Sequence, residues 1–234
     1  MKLPSFNFSL PRETEPVGLA RYLDTFFTNI ATLMVANILF LLSCVTVIGA
    51  GGGLIALNHI VCAILLGKRV SVVQDFFFVL KKNIRIGLII TFTLLPVFVW
   101  SLYMSLSAYG NYVENGTYLI QFFLYCALFI LTNCFAMYFV PLLVCVKADL
   151  YTIMITALKL CVLGTWRTIL GGLGVSLITV LILLSLPKTI PLFFFVHFSF
   201  SVFHCAFCAW KIIDMYVLTP FDENQGQPAE DHRG

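Results

Sequence analysis

From Thr25 to Gly67 the chain runs for 43 residues without a Lys, Arg, Asp or Glu. Four more charge-free runs follow: Ile86–Val113, Asn115–Val146, Thr168–Pro187 and Thr189–Trp210. About 20 apolar residues carry a helix across the hydrocarbon core of a bilayer. Water is absent there, so the backbone must satisfy its own hydrogen bonds, and long apolar runs become helices. The expected fold is therefore all-α: a polytopic membrane bundle whose first partner is the lipid bilayer. Only 11% of the residues are charged, against about 25% in soluble domains. At 234 residues the chain has no room for a soluble catalytic domain beside the membrane domain. The net charge of +3 is too small to point to nucleic acid.

The runs divide into about six spans. The first run is about twice one crossing, so it must fold back, and Gly49-Ala50-Gly51-Gly52-Gly53 is where glycine permits a reversal. Gly49 and Gly53 also form a small-xxx-small pair suited to close helix contact, but three consecutive glycines are poor helix formers and favour the turn. Span one is then Phe26–Ile48 and span two Gly53–Leu66, short for a crossing. Spans three to six are expected at Ile86–Leu106, within Tyr118–Val146, at Thr168–Leu186 and at Leu192–Trp210. The membrane domain thus covers residues 25–212, flanked by an N-terminal segment 1–24 without a signal-peptide core and a polar tail 213–234 expected to be disordered.

Thirteen of the fourteen Lys and Arg residues fall on one side of this layout, and only Lys188 falls on the other. By the positive-inside rule that side is the cytoplasm, with both termini inside a cell membrane. Val73, Phe76, Phe77, Leu80 and Ile84 recur at helical spacing and lead into Lys81, Lys82 and Arg85, predicting an amphipathic helix on the inner leaflet. Asp149–Trp166 carries a weaker version of the pattern, so a twofold repeat of span, amphipathic helix, basic residue and span is one reading. Lys68, Arg69, Lys81, Lys82 and Arg85 are the candidate contacts for anionic lipid or an inner-face partner.

The chemistry inside the spans is sparse. No span contains a charged residue, which argues against a proton-driven carrier. Phosphate-loop, His-Glu-x-x-His and Gly-x-Ser-x-Gly motifs are absent, and neither an enzyme nor a cofactor is expected. Asn37, Asn58 and His59 in the first hairpin either hold helices together by hydrogen bonds or line a polar cavity for a neutral ligand. His197, His204 and Cys208 share a helical face, and Cys205 and Cys208 form a Cys-x-x-Cys, but no second span offers the remaining ligands, so no metal is expected. Seven of the eight cysteines lie inside charge-free runs and read as small packing residues rather than disulfide partners. Asn115-Gly116-Thr117 matches a glycosylation sequon in the expected outer loop, and would be coincidental if the protein were bacterial.

Over residues 25–95 one more pattern emerges. Ala36-Asn37-Ile38-Leu39-Phe40-Leu41-Leu42 runs into the Thr/Ile/Gly/Ala-rich stretch Val45–Gly53, then Leu57-Asn58-His59, Gly67-Lys68 and Asp75–Asn83. In these motifs the chain resembles the YesL family of bacterial integral membrane proteins, which is defined by a domain of unknown function. It departs from the family where Ser43-Cys44 stands in place of a proline near the end of span one. The resemblance implies a Gram-positive plasma membrane and association with carbohydrate uptake, as an accessory or permease-like component of a transporter complex. It implies no catalytic residues. The alternative is a scaffold that recruits a cytoplasmic partner or lipid through its inner-face helices.

Overall fold

A computed structural model of the chain describes residues 18–114, 118–146, 148–185 and 188–218. Residues 1–17 of the N-terminal segment, 219–234 of the tail and the sequon lie outside the described residues; the start of the tail, expected to be disordered, is helical as far as Val217 because it continues the last helix. Among the described residues there is no strand, and the fold is the expected helical membrane bundle. In chain order the helices are α1 (Leu19–Thr28), α2 (Ile30–Val45), α3 (Ala50–Leu65), α4 (Val72–Lys82), α5 (Ile84–Glu114), α6 (Leu119–Cys145), α7 (Leu150–Leu163), α8 (Thr165–Leu184) and α9 (Ile190–Val217). Four of them, α5, α6, α8 and α9, are long and apolar enough to cross a membrane. The α1–α2 pair adds a fifth crossing if taken together, although it is bent by 68°. The expected span two is α3, whose 16 residues cover only about 24 Å.

The helices fall into three successive units, α1–α2–α3, α4–α5–α6 and α7–α8–α9, where the sequence suggested at most two. In each, a short helix turns into a longer one through a single residue of similar backbone geometry: Asn29 (φ −107°, ψ 14°), Asn83 (φ −106°, ψ 18°) and Gly164 (φ −83°, ψ 17°). The two asparagines close their elbows alike, Asn29 Nδ2 donating to Thr25 O at 2.9 Å and Asn83 Nδ2 to Val79 O at 3.0 Å. At the third elbow only glycine fits, because the Tyr138 hydroxyl occupies the place of a Cβ. That hydroxyl bonds Thr168 Oγ1 at 2.9 Å.

The last helix of each unit goes to the centre. There α3, α6 and α9 pack on one another, with α2 against α3 and α9, α5 against α3 and α6, and α8 against α6 and α9. The short helices repeat the pattern: α4 lies on α3, α7 on α6, and α1 on α9 through Tyr22–Phe203 and Phe26–Phe200 ring contacts at 5.3 and 5.4 Å. Every residue of α3 except Leu54 and His59 is buried. By contrast, α5 turns Phe92, Val99, Trp100 and Tyr103 outward, as a helix bordering lipid should.

Two expectations need correction. Gly51–Gly53 do not make the reversal. The chain turns earlier, at Thr46 and the single 3₁₀ turn Val47–Gly49, and the glycines form the first turn of α3. Their role is close approach, because a Cβ on Gly51 would meet the backbone carbonyl of Gly87 in α5. Small residues at such crossings let helix backbones touch inside a membrane. Second, α7 is a short apolar helix rather than an amphipathic one, with Ile153, Ala157 and Leu160 buried and Tyr151, Leu158 and Val162 exposed.

The Gly51–Gly87 contact makes a direct prediction. Gly51→Ala or Gly87→Ala should cost about 1–3 kcal/mol through overpacking. Gly110→Ala, in α5 with open space around it, should be neutral or stabilising by up to about 1 kcal/mol. Thermal unfolding of the detergent-solubilised protein reads both, and equal responses would contradict the contact.

Candidate functional site

Asn37 is fully buried in α2 and faces α9. There the helix widens into one π-helical turn, Phe193–His197. Asn37 Nδ2 donates to Phe194 O at 2.6 Å, and its Oδ1 accepts from Ser199 N at 2.9 Å. Those are the two groups that an i→i+5 bond would join, so the side-chain amide is seated in the ladder of the neighbouring helix. An i→i+5 turn interrupts the α-helical ladder, and in a membrane a backbone group left unpaired costs several kcal/mol. Asn37 satisfies both.

The other two members of the expected polar cavity turn elsewhere. Asn58 Nδ2 donates to Leu54 O of its own helix at 3.0 Å. His59 is half-buried on α3, within electrostatic reach of Asp75 in α4 and of Lys68. The structure thus gives Asn37, Asn58 and His59 separate surroundings.

His197 lies in the π-turn, buried and stacked on Phe193 at 5.5 Å, and its Nδ1 has no hydrogen-bond partner among the described residues. Further along α9, His204 Nδ1 lies 3.3 Å from the Tyr22 hydroxyl, and its Nε2 is 3.4 Å from Leu170 O and 4.0 Å from Cys208 Sγ. Among the described residues no three His, Cys, Asp or Glu side chains are placed to share a metal ion.

The basic residues occupy the elbow side. Helix α4 sits on α3 through buried Phe76 and Val79, while Val73, Phe77, Phe78, Lys81 and Lys82 are exposed, as is Arg85 at the start of α5. Lys82 Nζ lies over the Phe78 ring at 5.4 Å, a cation–π geometry. Asp75 holds the entry of α4 by accepting from Ser71 N at 2.9 Å.

Beside α4 the α3–α4 loop meets the first elbow and forms a half-open pocket of about 310 Å³, lined by Asn29 and Thr32, by Gly67, Lys68 and Arg69, and by the apolar Ile64 and Val70. Lys68 and Arg69 are legible as basic loop residues in the sequence, whereas Asn29 and Thr32 are not. The signal that could have marked Asn29 is the Asn-Ile pair shared by the two asparagine elbows, Asn29-Ile30 and Asn83-Ile84; nothing in the sequence marks Thr32. Comparison with family models, with curated proteins and with solved structures returns no match.

The asparagines carry different loads, which mutation should separate. Asn37→Leu leaves Phe194 O and Ser199 N unpaired in the bundle and should cost about 1–3 kcal/mol. Asn58→Leu removes only a bond within its own helix and should cost about 0.6 kcal/mol. Melting curves of the two variants in one detergent compare them, and a costlier Asn58 change would overturn the assignment.

Proposed function

We propose that this chain is an integral membrane scaffold of the cell membrane, with both termini in the cytoplasm, whose elbow-side helices bind anionic lipid or a cytoplasmic partner. The carrying observation is α4, anchored by Phe76 and Val79 and turning Phe77, Phe78, Lys81 and Lys82 outward. An apolar face ringed by cations suits the boundary between acyl chains and anionic headgroups. Asn37 supports the same reading, since its amide is engaged in holding α9 rather than open to a ligand.

The test compares the wild type with a Lys81→Gln/Lys82→Gln/Arg85→Gln variant in nanodiscs of zwitterionic lipid with and without phosphatidylglycerol. Each cation near an anionic surface contributes about 1 kcal/mol, so the anionic lipid should raise the melting temperature of the wild type more than that of the variant. Equal rises would count against a binding role for this face.

A second reading, an accessory or permease-like part of a carbohydrate uptake system, follows from the YesL resemblance and draws on His197. A buried imidazole nitrogen with no partner among the described residues, at a π-turn inside an apolar helix, is the kind of group that serves a ligand or a moving helix. A host strain lacking the gene, grown on single carbon sources, separates the readings. The scaffold reading expects no carbohydrate-specific defect. A defect restored by the wild type and by the triple charge variant, yet not by His197→Leu, would establish the uptake reading instead.

A further inference from the structure

We propose that the cavity at the first elbow is a binding site for one anionic phospholipid, whose phosphate is held by Lys68 and Arg69 and whose acyl chain runs along α2. The shape of the α3 terminus puts the cations there. Gly67 takes a left-handed conformation (φ 64°), with Gly67 N donating to Ile64 O at 2.9 Å and Lys68 N to Ala63 O at 2.9 Å. This Schellman turn closes the helix and delivers two adjacent exposed cations to the cavity wall. The opposite wall supplies uncharged donors. One N–H of the Asn29 amide is engaged on Thr25 O, which leaves its second N–H, together with the Thr32 hydroxyl, for a phosphate oxygen.

Size and surroundings select a lipid headgroup. About 310 Å³ lies at the small end of ligand sites, suited to a headgroup and too small for acyl chains. The chains have a separate path. Ala31, Val35, Ile38, Leu42 and Val45 are exposed along one face of α2, starting beside Thr32. From Thr32 to Leu42 the helix rises about 15 Å, half of the roughly 30 Å hydrocarbon core and so the depth of one leaflet. A cationic, hydrogen-bonding pocket at the head of an apolar track one leaflet long matches a phospholipid end to end. Free phosphate would use the pocket and leave the track empty.

This inference rests on the proposed inner-face role, because it places the pocket in the anionic leaflet, and the test keeps the two apart. Full-length protein in mild detergent is titrated with phosphatidylglycerol, phosphatidylcholine or inorganic phosphate and examined by native mass spectrometry. The expected result is one tightly retained phosphatidylglycerol per chain, displaced by neither of the others. Lys68→Gln/Arg69→Gln should weaken its retention at least about tenfold, equivalent to about 1.4 kcal/mol. Thr32→Phe, which fills the cavity and leaves the cations, should weaken it likewise, whereas Lys159→Gln, an exposed cation of α7 outside both the pocket and α4, should not. Equal losses in both charge variants would overturn the pocket and leave the inner-face role standing. Retention of phosphatidylcholine equal to that of phosphatidylglycerol would overturn both. Displacement by inorganic phosphate, or full retention by Thr32→Phe, would overturn the lipid assignment.

Discussion

The bundle depends on how α3 begins. A helix N-terminus carries orphan backbone N–H groups, and inside a bilayer no water can satisfy them. Gly51 N donates to Thr91 Oγ1 of α5 at 2.8 Å, and that hydroxyl donates in turn to Gly87 O at 3.0 Å. One side chain thus caps α3 and holds the carbonyl beside which the two glycine backbones meet. Because α3 is the common neighbour of α2, α4, α5, α6 and α9, its seating fixes where the others can pack. A short, glycine-led helix can occupy this central place because it is wrapped by protein and needs no lipid-facing surface of its own.

Around that helix the chain solves one problem three times. A short helix meets a longer one at a single-residue elbow, and the return helix of each unit enters the core. The elbows bend without a proline. In the first two, an asparagine amide adds a second bond to the carbonyl one turn back, which already accepts from the asparagine's own backbone N–H. In the third, the Tyr138 hydroxyl fills the space that a glycine leaves open. Asn37 applies the same economy across helices, its amide bridging the two backbone groups of the π-turn in α9. Polar residues in this interior are spent mainly on backbone groups, which is why so few of them support so irregular a bundle.

The helical membrane fold was legible because hydropathy and charge are sums over consecutive residues, and a bilayer responds to those sums. The 43-residue charge-free run announces a helical hairpin without any tertiary information. What makes Gly51–Gly53 helical was not legible, because local propensity opposes it and the deciding partner, Gly87, is remote in sequence. The full crossing count was equally hidden: α1 looks polar in sequence and meets α2 at a 68° bend. Of the residues singled out beforehand, α4 with Lys81 and Lys82 emerged as an amphipathic helix. Asn37, Asn58 and His59 found separate surroundings, since equal depth along a chain does not fix which face a side chain takes. The Asn29–Thr32 wall escaped notice because neither residue is unusual until the elbow turns it toward Lys68.

The unequal lengths of the units bear on the membrane itself. Helix α2, with 16 residues, covers about 24 Å, short of a hydrocarbon layer of about 30 Å, whereas the apolar stretch of α5, residues 86–106, covers about 32 Å and matches it. Lipid bordering α2 would have to thin toward the protein, each ångström of mismatch costing a fraction of a kcal/mol. In a membrane of mixed chain lengths, shorter acyl chains would therefore gather on the α2 flank.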